Sequence, residues 1–166
     1  MIVFKCIFVT SLIGLVALPA IADGVCERSD AMPLRIETDG VAPVEHVLCP
    51  EDLDRLPTAS FSTTTLWTRG VQEFEGVWLS SLLQELGLSE GNVTLQAIND
   101  YAVTEPIATF RQGGALVAYR RNGDIMQPRD KGPYWLVWNY DGDPEFRNEQ
   151  IYALSIWQLD RITVSR

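Results

Sequence analysis

The chain has 166 residues, 46% of them hydrophobic, with 22 acids against 13 bases and a net charge of -9. That balance sets nucleic acid aside as a partner, because a phosphate backbone is bound by a surplus of Lys and Arg. His46 is the one histidine, so a histidine-built zinc or copper centre is excluded, and no Ser-His-Asp or Cys-His set assembles around it.

At the N-terminus Lys5 precedes an apolar stretch over 7–18, too short to span a bilayer comfortably, which ends in Ala20-Ile21-Ala22. The pattern predicts a secretory signal peptide over 1–22, cleaved after Ala22, with a membrane anchor as the other reading. Cleavage would leave one domain over 23–166, with 12 bases against 22 acids and a net charge of -10, in the periplasm. Cys26 and Cys49 then form an even pair in an oxidising compartment, where a disulfide is the rule. It would close a loop of about 23 residues, for roughly 3 kcal/mol in the loop-entropy model. The competing reading makes one of the two a metal thiolate.

Alternation over Leu34-Arg35-Ile36-Glu37-Thr38 predicts a strand, and Pro50 with Glu51 and Asp52 opens a helix over 50–56. A strand follows over 59–65. Trp78, Leu79, Leu82, Leu83 and Leu86 share one helical face, which predicts a helix over 77–86 with Gly87 as its C-cap. Further strands are expected over 93–98, 115–119, 134–138 and 161–164, with Asn122-Gly123 as a tight turn. Strands separated by short helices and Gly/Pro-punctuated loops make this a mixed α+β domain.

Three groups of residues carry chemistry. Trp67, Thr68, Arg69 and Gly70 close a threonine-rich strand; an aromatic face and a guanidinium suit a flat, electron-poor ring with carbonyl or anionic groups, and equally suit a core tryptophan and a solvated arginine. Asn99, Asp100 and Tyr101 follow a strand, where the Asp100 carboxylate matches a guanidine-like edge with two N–H groups and Asn-Asp is also an ordinary turn. The third runs from Arg120 and Arg121 through Asn122-Gly123 to Arg129, Lys131 and Gly132-Pro133, a basic stretch in an acidic chain. Asn139, Asp141, Asp143 and Glu145 place alternate oxygens around Gly142 in faint likeness to a calcium loop, without its full pattern.

Taken together, FSTTTLWTRG, INDYAV and RRNGDIMQPRDKGPYW resemble the sulfite-oxidase type of molybdopterin-binding domain, over nearly all of 23–166. Ala118-Tyr119, Asn122-Gly123 and Gly132-Pro133 carry the most specific part of the likeness, and Trp157 matches a closing tryptophan whose preceding lysine is Ile156 here. The resemblance implies a mixed sheet with helices packed around it and a site for a reduced pterin or a molybdopterin-like molecule. It implies binding residues at Trp67, Thr68, Arg69, Asn99, Asp100, Tyr101, Arg121, Arg129, Lys131 and Trp135. Where the family presents a cysteine thiolate to molybdenum this chain has Thr68, a neutral hydroxyl and a poor ligand for that metal, so no metal is expected. The function implied is a non-catalytic pterin-binding protein that signals its occupancy to the periplasmic domain of a membrane-bound signalling protein. The alternatives are a periplasmic molybdopterin-dependent oxidoreductase and a structural module with a vestigial pocket.

Overall fold

The computed structural model describes Cys26, residues 31–39 and residues 42–165. The expected signal peptide over 1–22 lies outside the described residues.

In chain order the elements are β1 (Leu34–Thr38), β2 (Glu45–Leu48), α1 (Pro50–Leu53), β3 (Ala59–Thr63), β4 (Gln72–Trp78), α2 (Leu79–Glu85), β5 (Asn92–Ala97), β6 (Ala102–Pro106), β7 (Leu116–Arg121), β8 (Asp124–Ile125), β9 (Tyr134–Val137), α3 (Glu149–Ala153) and β10 (Trp157–Ser165). The sheet runs β2-β1-β10-β9-β7-β4-β3, with β5 and β6 attached beside β10 and β8 beside β7. Only β1 and β10 pair in parallel, Arg35 opposite Arg161 through Thr38 opposite Val164. The result is a mixed sheet with a few short helices, an α+β domain dominated by its strands.

β10 organises the sheet. Its first residues pair with β9, Trp157 opposite Trp135 and Leu159 opposite Tyr134, and its later ones lie between β1 and β5. Gln158 adopts φ 56 at the register shift between these two stretches. Its backbone N–H donates to the Lys131 carbonyl at 2.9 Å, and its side chain donates to the Pro128 carbonyl at 2.8 Å. The loop before β9 is thereby fastened to the start of β10.

The core is the apolar side chains of β1, β4, β5, β7, β9 and β10, with Leu53 of α1 and Leu79, Leu82 and Leu83 of α2 packed against them. Asn122 and Gly123 both take positive φ, 53 and 86, as a two-residue hairpin turn requires, and join β7 to β8 as expected. Cys26 and Cys49 are joined, with Cα atoms 5.4 Å apart. Although Glu51 lies beside them, both sulfurs are spent in the bond and the metal-thiolate reading falls.

Helix boundaries differ from the sequence expectation for identifiable reasons. The helix expected over 77–86 starts at Leu79, because Val77 and Trp78 pair with Val117 and Leu116 and complete β4. The Trp78 ring stacks on Phe61 at 6.1 Å, a cross-strand contact that outweighs its helical spacing. The helix over 50–56 is the single turn Pro50–Leu53, fixed at its start by the Asp52 carboxylate accepting from the Cys49 N–H at 2.9 Å. The last strand begins four residues earlier than expected, at Trp157. No helix among the described residues is long and apolar enough to cross a membrane.

Candidate functional site

β3 ends in buried Thr63 and gives way to the turn over 64–70, held by its own threonines. The Thr65 hydroxyl accepts from the Trp67 N–H at 3.1 Å and shares a 2.8 Å hydrogen bond with the Thr68 hydroxyl. Outside the turn, the Asp141 carboxylate accepts from both the N–H and the hydroxyl of Thr64, at 2.6 and 2.9 Å, and lies 3.2 Å from the Arg147 guanidinium. The Thr64 hydrogen bonds, chiefly the backbone one, hold the Asp141 carboxyl below its ordinary value, with Arg147 adding to the effect.

This bracing presents the Trp67 ring to four others: Trp157 at 5.3 Å, Trp135 at 6.0 Å, Tyr152 at 6.1 Å and Tyr140 at 6.3 Å. Beside them opens a cavity of about 320 Å³ whose walls include Trp67, Tyr101, Tyr152 and Trp157, with Asn99 and Ser155 as polar members. β3 and its turn supply Trp67, the β5–β6 hairpin supplies Asn99 and Tyr101, α3 supplies Tyr152, and β10 supplies Trp157. Tyr101 spans part of this space, its hydroxyl donating to the Ala153 carbonyl at 3.2 Å. The hydroxyls of Tyr140 and Ser155 are 2.7 Å apart, and Ser155 also donates to the Ile151 carbonyl at 2.7 Å. Burial pushes the Tyr140 phenol above its ordinary value, so it stays neutral.

The expected site residues divide into three sets. Trp67, Asn99 and Tyr101 line the cavity, and Lys131 touches its wall, with Nζ 4.5 Å from the centre of the Trp157 ring and 5.8 Å from that of Trp135. Thr68 and Arg69 sit in the adjoining turn; Thr68 is bonded to Thr65 and Arg69 is exposed, its carbonyl accepting from Gln72. The others lie elsewhere. Trp135 is fully buried between Phe74, Trp67 and Trp157, so its face is not open for a ring to stack on, and its indole N–H has no partner among the described residues. Asp100 occupies the corner of the β5–β6 hairpin at φ 65, exposed, with its carboxylate accepting from Gln96 at 3.1 Å. Arg129 extends into solvent beside Asp130, and Arg121 ends β7 opposite Phe74.

The basic stretch does not gather into one basin. Arg120 spends its charge on Asp54 and Glu75, at 2.7 and 3.0 Å, and lies over the Tyr119 ring. The faint calcium loop is likewise an ordinary turn: Asn139 accepts from the Gly142 N–H, Asp143 from the Glu145 N–H, Asp141 serves Thr64, and Glu145 pairs with Arg111.

Tyr152 and Ala153, both on the wall, went unnoticed in the sequence. The signal for Tyr152 was present in Asn148-Glu149, where Asn148 caps α3 by accepting from the Ile151 N–H at 3.0 Å.

No family model matches the chain, and no curated protein does. Among solved structures the fold is similar to that of the sulfane dehydrogenase SoxCD from Paracoccus pantotrophus, at 18% identity and a TM-score of 0.55. The match covers 80% of this chain and 38% of that one, so the likeness is one of fold over a minor part of the enzyme.

Proposed function

We propose that the chain is an exported, non-catalytic pterin-binding protein that reports ligand occupancy to a membrane-bound signalling partner. The observation that carries the reading is the aromatic-walled cavity beside the Thr68 turn. Its volume of about 320 Å³ suits a bicyclic heteroaromatic ring. Its indole and phenol faces offer stacking with a few polar groups for orientation. The resemblance to the sulfite-oxidase type of domain implies a pterin site formed in part by this turn, and the fold likeness to a dehydrogenase named for sulfur chemistry is in keeping with that resemblance.

Thr68 supports the non-catalytic part. A hydroxyl hydrogen-bonded to Thr65 stands where the family resemblance calls for a thiolate, and a neutral hydroxyl offers a molybdenum centre little. The signalling part is supported by α3. This five-residue helix has no fully buried residue, yet contributes Tyr152 and Ala153 to the cavity. A ligand that favours one position of α3 would alter the outer surface, and a partner binding the two forms unequally would register the ligand.

Mass spectrometry and metal analysis of protein purified from its native compartment test the reading. A pterin without stoichiometric molybdenum is expected. Equimolar molybdenum surviving gel filtration would move the chain to the molybdopterin-dependent oxidoreductases.

A further inference from the structure

The side-chain groups on the cavity wall that have no hydrogen-bond partner at all among the described residues are donors. Asn99 uses its side-chain oxygen to accept from the Tyr101 N–H at 3.3 Å, and its amide NH₂ has no acceptor among the described residues. The indole N–H groups of Trp67 and Trp157 have none either, whereas the Tyr101 hydroxyl donates to Ala153 and the Ser155 hydroxyl bonds both Ile151 and Tyr140. Among the described residues no carboxylate lines the cavity, and the nearest in sequence, Asp100, is turned to Gln96. The charge seated on the wall is positive: the Lys131 ammonium against Trp157. Lys131 is held there by its backbone, at φ 73 with its carbonyl accepting from Gln158, and it has no carboxylate partner among the described residues.

We infer that this cavity selects a planar ring by its oxygen-bearing, acceptor edge, with the Asn99 amide as the specificity-determining group. The inference rests on the ring-binding reading above and narrows it. Asn99 is exposed at the cavity's edge, so a ring whose edge presents amino groups would set donors against its NH₂ and forgo that hydrogen bond, a loss of about 1 kcal/mol. A ring presenting carbonyls would satisfy the amide and gain from the nearby ammonium.

Three pteridines of one shape separate these cases: lumazine with two ring carbonyls, pterin with one carbonyl and one amino group, and diaminopteridine with two amino groups. Calorimetric titration of the full chain at pH 7 should rank lumazine at least equal to pterin, with diaminopteridine weaker by about tenfold. Asn99→Asp keeps the acceptor for the Tyr101 N–H while replacing the amide donor with a second acceptor, so it should reverse the ranking; its thermal melt verifies that the hairpin still folds. Diaminopteridine binding as tightly as lumazine in the wild type, or a ranking indifferent to Asn99→Asp in a folded variant, would overturn the donor-edge inference while leaving ring binding intact. If none of the three binds at millimolar concentration, the ring-binding reading itself fails and takes this inference with it.

Discussion

Trp67 is the residue on which fold and candidate site depend together, and Trp67→Ala separates the two contributions. Its half-buried indole contacts Trp157, Trp135, Tyr152 and Tyr140 at centroid distances of 5.3 to 6.3 Å. An aromatic side chain in such a setting buries about 150 Å² of apolar surface; at roughly 25 cal/mol/Å² that is close to 4 kcal/mol, trimmed to about 3 kcal/mol for the compactness of real unfolded chains. For a domain of this size each kcal/mol moves the melting temperature by about 2 to 4 °C, so a fall of about 6 to 12 °C is expected. Trp67→Phe retains part of the ring contact and should recover about half of it. Differential scanning calorimetry of the three proteins makes the comparison, followed by pteridine titration well below the lowest melting point. A fall under about 2 °C for Trp67→Ala would refute the claim that the turn is anchored through this ring.

Counting free thiols in denatured, unreduced protein should find none from Cys26 and Cys49, and Cys49→Ser should lower stability to urea by about 3 kcal/mol through the lost cross-link. Asp141→Asn should lower the melting temperature at neutral pH by loosening the turn from Thr64. Because the folded carboxyl titrates below its ordinary value of 3.8, its contribution is present above that value and lost as pH falls through the depressed one; the gap between wild type and variant should therefore close in strong acid, and a gap that persists there would assign the effect to something other than charge. Gly76→Ala should be severely destabilising, by about 3 kcal/mol or more, as for an overpacked core. A Cβ there would meet the Val117 carbonyl oxygen at 2.0 Å and the Ala118 Cα at 2.7 Å, both backbone atoms of the neighbouring strand. Soluble Gly76→Ala protein with an unchanged melt would contradict the β4–β7 pairing.

The strands were legible wherever alternation or an uninterrupted apolar run reflects one-sided or two-sided burial, as in β1, β5, β7 and β9. β2 and β6 were not read, since they have few buried side chains and owe their conformation to pairing with β1 and β5. Val77 and Trp78 look helical beside Leu79, Leu82 and Leu83, because periodicity cannot say where a strand hands over to a helix without a break. At the site, the residue types chosen from the turn and the hairpin, Trp67, Asn99 and Tyr101, meet at one cavity. Asp100 and Trp135 do not, for opposite reasons: a turn corner faces outward, and a tryptophan in an entirely buried strand faces inward. Neither direction is written in the identity of the residue. Tyr152 and Trp157 converge on Trp67 from 85 and 90 positions downstream, and a convergence of that kind comes only from the tertiary fold.

The way β10 changes partners bears on when the chain can fold. β1, β5 and β9 are neighbours only through this strand, and β1 reaches it across more than 120 residues of sequence. Until residues 157–165 are available, β2-β1, β5-β6 and the β9-β7-β4-β3 group are separate pieces, each with an unpaired edge and an uncovered apolar side. Contacts this distant in sequence slow closure, so the sheet can close only once residues 157–165 join it, and until then the open edges of β1, β5 and β9 can pair with another chain.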